Sequence, residues 1–165
     1  MANLIDSTYF IGEIDIPNKS GAANLNTAIQ AHLTRMISIY EPEFLTELLG
    51  SILYSQLLAG LAAPGSDTRW TLLKAQLLNT TKLTSQIANY VYFKYANEMI
   101  SRINPVDAPS DFNVIRSVNA WNEMVKMNIS VYEYITDNIV LYPAFIPEFT
   151  IDFTKLFRPI NTFGI

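Results

Sequence analysis

The 165-residue chain holds one histidine and no cysteine, which narrows its possible chemistry at once. His32 lies among Ala31, Leu33 and Arg35. As a general base it would need a nucleophile or an orienting carboxylate, and no residue identifiable in the sequence supplies either, so it reads as a structural or surface residue. Glu43 and Glu47 are spaced i, i+4, which stacks two carboxylates on one helix face as an acid–base pair would require. Acidic residues in the first turn of a helix opening at Pro42, where they complement the helix dipole, are the simpler account. Glu13 and Asp15 alternate onto one side of their segment and read as its solvated face, or as half of an ion pair with a neighbouring chain. Tyr90, Tyr92, Phe93 and Tyr95 could stack on bases as single-strand binders do, but only Lys82, Lys94 and Arg102 flank them, which favours core or interface packing. Neither G-x-G-x-x-G nor G-x-x-x-x-G-K-[ST] occurs, so a phosphate cradle is missing. Without cysteine there is no disulfide framework, no thiolate nucleophile and none of the usual zinc sites. We therefore assign no catalytic, cofactor-binding or metal-binding residue and expect a protein that is not an enzyme.

Composition points towards contact with other chains. Hydrophobic residues make up 50% and charged residues only 16%, against a charged share of about 25% in typical domains. Mean hydropathy is +0.17, yet Pro, Gly, Asn or charged residues break every apolar stretch before the ~20 residues that cross a bilayer. The apolar surplus is expected to go into a core and into protein contacts, with no membrane span. The opening MANLIDST lacks a basic segment followed by an apolar one, so no secretory signal is expected and the chain resides in a cytoplasm at least during synthesis. The N-x-S/T triplets at Asn18, Asn79 and Asn128 then read as chance. A net charge of −4 and pI near 4.9, with scattered basic residues, argue against wrapping nucleic acid.

Eight prolines outline the elements, because proline breaks helix interiors and biases its preceding residue away from helix. YFIGEIDI, Tyr9 to Ile16, alternates weakly, with Phe10, Gly12, Ile14 and Ile16 on one side, and reads as an extended arm or edge strand. Asn24 or Asn26 caps a first helix to about Tyr40, striped by Ile29, Leu33, Met36, Ile37 and Tyr40. Pro42 then stops it and opens the next. In the second helix Leu45, Leu48, Leu49, Ile52, Leu53 and Leu57 keep helical phase through Gly50. This favours a helix bent or closely packed at Gly50, with a glycine cap and a new helix from Ser51 as the alternative. Asp67 or Thr68 starts a shorter helix with Trp70, Leu73 and Leu77. After a break at Asn79 to Lys82, a long helix with Leu83, Ile87, Val91, Tyr95 and Met99 on one face runs to about Ile103. The turn-rich NPVDAPSD leads to a helix capped by Ser110 or Asp111 and striped by Val114, Val118, Trp121, Val125, Tyr132 and Ile135. The two long helices should pair antiparallel, with Trp70 and Trp121 buried. Beyond Tyr142-Pro143 the pattern dissolves into a segment too aromatic for a disordered tail. The expected architecture is all-α: an N-terminal arm over 1–23, a helical domain over 24–142 and an extended C-terminal docking arm over 143–165.

STYFIGEIDIPN, YEPEFLTELLGSILYSQL, RWTLL, IANYVYFKYANE, VIRSVNAWNEMVKMNISVYEYITDN, YPAF and the closing NTFGI together resemble the head-to-tail connector, or adaptor, proteins of tailed phages of gut bacteria, crAss-like phages among them. The most specific pieces are E-x-x-F-L-x-x-L-L-G-x-x-L-Y, from Glu41 to Tyr54, and W-N-E-M, from Trp121 to Met124. The resemblance implies a virion protein of the neck, at the head–tail interface. It would form a ring, commonly of twelve copies, beneath the portal and continue the DNA channel to the next tail or neck ring without binding DNA specifically. On that reading the arms dock through Tyr9, Phe10 and Ile14 at one end. At the other they dock through Phe149, Phe153, Phe157, Arg158, Phe163 and Ile165. A small cytoplasmic helical protein-binding or regulatory module shares the same composition and is the alternative.

Overall fold

The computed structural model describes residues 3–17, 24–63, 65, 67–102, 111–146 and 153–161. Two 3-10 turns, Ser7–Tyr9 and Gly12–Ile14, precede α1 (Asn24–Leu49), α2 (Ser51–Ala62) and α3 (Thr68–Leu77). The two-residue strands β1 (Leu78–Asn79) and β2 (Thr84–Ser85) pair antiparallel, Leu78 opposite Ser85, before α4 (Gln86–Arg102), α5 (Asp111–Asp137) and a single turn, α6 (Phe153–Leu156). The architecture is an all-α helical bundle. Its centre is the α4–α5 pair, which runs antiparallel as the sequence predicts: Asn89 Nδ2 lies 3.9 Å from Met127 Sδ, and further along α4 the Phe93 ring meets Trp121, earlier in α5, at 4.7 Å. Both tryptophans are buried.

Pro42 does not end the first helix. It lies inside α1, where it removes one backbone donor at a cost of about 3 kcal/mol. Leu33, Met36 and Ile37 before it and Phe44, Leu45, Leu48 and Leu49 after it are all buried. Each contributes about 1.5–3 kcal/mol, so burial of a continuous face outweighs the break. Gly50 is where the helix stops. Its φ of +78° and ψ of 153° are open only to glycine; its N–H closes the last turn of α1 on the Thr46 carbonyl (3.0 Å) and its carbonyl accepts from Tyr54 N (3.1 Å) to start α2. The bend that was favoured is thus a true break with a new helix from Ser51. Both helices turn apolar faces onto one core, which buries Leu48 and Leu49 on one side of the break and Leu53 and Leu57 on the other, but Ile52, expected in the same stripe, is 59% exposed because the break at Gly50 resets the helical phase. Among the described residues no single helix is long and apolar enough to cross a membrane. The pair Thr27–Leu49 and Ser51–Ala62 meets length and composition only together, bent by 116°.

Over residues 3–17 the N-terminal segment is neither a strand nor an exposed arm. Asp6 caps the first 3-10 turn by accepting from Thr8 N (2.8 Å), and Tyr9, Phe10, Ile14 and Ile16 are buried in the chain's own core. Two clamps hold it. Glu41, itself buried, accepts from Leu4 N (2.7 Å) and Ile5 N (3.2 Å). Arg116 donates from Nε to the Glu13 carbonyl (2.6 Å) and from Nη2 to the carbonyls of Gly12 and Asp15 (3.3 Å each). The expected sidedness survives, since Ile11 and Glu13 remain exposed, but turns rather than an extended chain deliver it. Leu83 likewise falls outside α4, in the hairpin turn at φ 52°. There Asn79 Oδ1 accepts from Thr81 N and Lys82 N (3.0 and 2.8 Å).

Candidate functional site

Of the residues singled out in the sequence, His32 and Glu43 of α1 and Tyr90, Lys94 and Tyr95 of α4 meet along the seam between these two helices, whereas Glu13 and Asp15 lie in the N-terminal turns. Because α1 runs through Pro42, Glu43 and Glu47 lie in its C-terminal part, not in a first turn, so the helix-dipole account of them fails. Glu43 is held instead by partners from α4: Tyr90 Oη donates to its Oε1 at 2.7 Å and Lys94 Nζ at 3.0 Å. The same ammonium lies 5.1 Å from the Tyr40 ring centre and 5.0 Å from that of Tyr90. Burial pushes the Glu43 carboxyl up, but the Tyr90 and Lys94 contacts outweigh it and leave the group below the usual carboxylate range. Burial, with the Glu43 carboxylate beside it, raises the Tyr90 phenol far above its ordinary value. The two groups are driven apart, the charge fixed on Glu43 and the proton on Tyr90, which is the electrostatics of a structural pair and not of proton exchange near neutrality. Glu47 is exposed and has no contact with the pair, but its charge adds to the rise of the Tyr90 phenol.

His32 has a carboxylate after all, one that the sequence could not reveal because it comes from the far helix. Glu98 Oε2 lies 3.5 Å from His32 Nε2, and Tyr95 flanks the imidazole at 5.9 Å between ring centres. The aromatic cluster of α4 is spent on packing: Tyr90 lies against Phe44 at 5.0 Å and Phe93 against Trp121 at 4.7 Å, while the Arg116 guanidinium covers Tyr92 at 5.7 Å. Among the described residues no group of three His, Asp or Glu side chains is placed to hold a metal ion.

The docking residues assigned to the two ends divide differently. Tyr9, Phe10 and Ile14 are core residues, so their docking role is corrected to an internal one. The C-terminal segment also lies on its own domain where it is described. Leu156 is buried, Phe157 is half-buried and packs on Tyr132 at 5.9 Å. Side chains of α5 bind the segment's backbone. Asn128 Nδ2 donates to the Leu156 carbonyl (2.9 Å), Trp121 Nε1 to the Arg158 carbonyl (2.8 Å) and Asn122 Nδ2 to the Ile160 carbonyl (3.0 Å), while Ile160 N donates back to Asn122 Oδ1 (2.9 Å). Over 155–161 this is a docked strap, not a free arm. The Arg158 side chain is exposed. Phe149, Phe163 and Ile165 lie outside the described residues, and Phe153 is described only as a helical position of α6.

Large apolar side chains are exposed at scattered positions such as Ile39, Ile52, Leu72 and Ile115, and in succession along a tongue following α5, which sequence reasoning missed. Ile139, Val140 and Leu141, with Ile146 just beyond, are exposed, Val140 to 88%. The tongue is braced from beneath. Tyr142 is fully buried, donates from Oη to the Arg69 carbonyl (2.9 Å) and packs on Trp70 (6.2 Å between ring centres), while Arg69 Nη1 donates to the Leu141 carbonyl (3.2 Å). Phe145, also buried, meets Tyr132 at 5.9 Å. Tight turns join these anchors, with Leu141 N donating to the Asn138 carbonyl and Tyr142 N to that of Ile139 (2.8 and 3.0 Å). The signal was present in the run Ile139-Val140-Leu141, three apolar residues in succession, which one buried stripe cannot accommodate. Comparison with protein-family models, with curated proteins and with solved structures finds no match to this chain.

Proposed function

We propose that this chain is a structural subunit of the neck of a tailed phage, forming a ring below the portal, of twelve copies in the commonest arrangement, that joins head to tail and continues the DNA channel. The sequence resemblance supplies the family. The observation that carries the reading is the braced tongue. Monomeric proteins seldom hold out contiguous large aliphatic side chains without a partner to cover them, and a rigid mount removes the ordering cost that a flexible arm would incur on docking. A closed ring joins two unlike surfaces of each subunit, and the tongue is one such surface. Each aliphatic residue of it buried by a neighbour gains about 1.5–3 kcal/mol. The acidic balance of the chain, −4 overall, suits a channel through which DNA slides without adhering. Val140→Asp tests this in two measurements. Circular dichroism should be unchanged, because the side chain touches solvent, and light scattering of the chain co-expressed with the portal protein of the same genome should show assembly only for the natural sequence. Equal assembly of both, or of neither, would contradict the reading and favour a small regulatory module.

A further inference from the structure

The groove on α5 that holds the C-terminal strap reads backbone. Asn122 takes both main-chain groups of Ile160, its Oδ1 accepting from Ile160 N (2.9 Å) and its Nδ2 donating to the Ile160 carbonyl (3.0 Å), and Trp121 Nε1 donates to the Arg158 carbonyl (2.8 Å). Asn128, further along the same helix, takes only one group. Its Nδ2 donates to the Leu156 carbonyl (2.9 Å), but the residue is fully buried and among the described residues its Oδ1 accepts no hydrogen bond. A carboxamide oxygen buried without a donor costs free energy that a well-placed N–H recovers. The shape of the strap explains the gap. Leu156 ends the single turn α6, and in a helix the N–H and C=O of one residue point opposite ways along the axis. On extended backbone the two groups lie on one side, which is what a carboxamide needs to take both. Four helical residues span about 6 Å and four extended ones about 13 Å, so the form that completes the Asn128 contact is also the form with more reach.

The segment that fits this groove belongs to the chain itself, because Leu156 is buried there and Phe157 packs on Tyr132. Phe145 and Phe157 each meet the Tyr132 ring at 5.9 Å. The chain therefore leaves and rejoins its domain at one side chain, although the eleven residues between the two phenylalanines can span roughly 40 Å when extended. A one-turn helix has little stability of its own. We propose that copies of this chain exchange straps: residues 153–161 of one copy, with α6 opened out, lie in the α5 groove of a second copy, where Asn128 Oδ1 accepts from Leu156 N as Asn122 Oδ1 accepts from Ile160 N. Exchange keeps the groove contacts of the closed strap and adds one, and swapping an identical element between copies is a low-cost route to association. The inference needs only a second copy of this chain and does not rest on the neck reading.

Cysteine cross-linking of full-length chains tests the proposal, since the chain has no cysteine of its own. Asn119 on α5 and Pro159 on the strap are exposed and border one cavity. Chains carrying Asn119→Cys and tagged chains carrying Pro159→Cys are mixed, unfolded in urea, refolded together and treated with a short bismaleimide. The two-chain product should form in a yield that rises with concentration. It should exceed severalfold the yield from Glu133→Cys mixed with Pro159→Cys, in which the α5 cysteine is also exposed but about 21 Å further along the helix. Both cysteines in one chain should give the one-chain product at low concentration. Asn128→Leu removes one bond from the closed strap and two from the exchanged one, so in that background the two-chain yield should fall by about twofold to tenfold. A two-chain yield no higher for Asn119 than for Glu133, or independent of concentration, marks collision and overturns the proposal whether or not Asn128→Leu folds. A yield unchanged in folded Asn128→Leu overturns it as well.

Discussion

Replacing Gly60 by alanine places a methyl carbon 2.1 Å from Trp70 Cδ1, 2.2 Å from its Nε1 and 2.5 Å from its Cγ. Carbon atoms in contact rest roughly 3.5–4.0 Å apart, so the indole or the α2 backbone must retreat by more than about 1 Å. The ring cannot easily yield, since it is buried against Tyr142 at 6.2 Å and lies under the Arg69 guanidinium at 4.4 Å. Overpacking of this kind costs about 1–3 kcal/mol. Alanine returns about 1 kcal/mol through helix propensity, which leaves a net loss of up to about 2 kcal/mol. Trp70→Leu removes the obstacle, so in that background Gly60→Ala should be neutral or stabilising by up to about 1 kcal/mol. Urea unfolding of the four proteins, followed by far-ultraviolet circular dichroism, gives the coupling directly. Zero coupling, with Gly60→Ala equally stabilising in both backgrounds, would refute the close approach of α2 and α3.

Gly50→Ala meets no atom within 4 Å, so its cost is conformational alone. It should lower stability by about 1–3 kcal/mol regardless of the residue at 70, measured in the same urea series. Glu41 and Glu43 should oppose one another in acid. Burial raises the Glu41 carboxyl despite its bonds to Leu4 N and Ile5 N, so its contribution is present below the ordinary value of about 4.3 and lost as pH rises through the raised one. Glu43, lowered, contributes above that ordinary value and loses it as pH falls; urea midpoints from pH 3 to 7, at about one-unit steps, should show Glu41→Gln and Glu43→Gln changing the slope in opposite senses. Asn122→Ala removes both bonds to Ile160 and should cost about 1–3 kcal/mol, and deletion of 155–165 should destabilise the helical domain by more, because Leu156 leaves the core. An unchanged midpoint in the deletion would return the segment to the status of a free arm.

The helix faces were legible because burial follows the helical period: Leu33, Met36 and Ile37, then Leu45, Leu48 and Leu49, appear in sequence as they do in the core. What the sequence concealed were decisions made by tertiary contact. Pro42 and Gly50 are each a plausible helix end in isolation, and only the shared core selects Gly50 and overrides Pro42. The N-terminal alternation gave the correct inward residues, Phe10, Ile14 and Ile16, but period alone does not distinguish a strand from successive tight turns clamped by Glu41 and Arg116. Those clamps, like the Glu98 partner of His32 and the Asn122 bonds to Ile160, join residues far apart in the chain. The tongue lies inside the helical domain over 24–142, and the helical stripe that ends at Ile135 says nothing of the three apolar residues Ile139 to Leu141 that follow it.

The most direct test of the neck-subunit account is electron microscopy of the full chain co-purified with the portal protein of the same genome. The account predicts a ring of this chain seated on one face of the portal, with Val140 of each copy inside a subunit contact. A portal carrying no such ring, or a ring in which Ile139 to Leu141 face solvent in every copy, would contradict it.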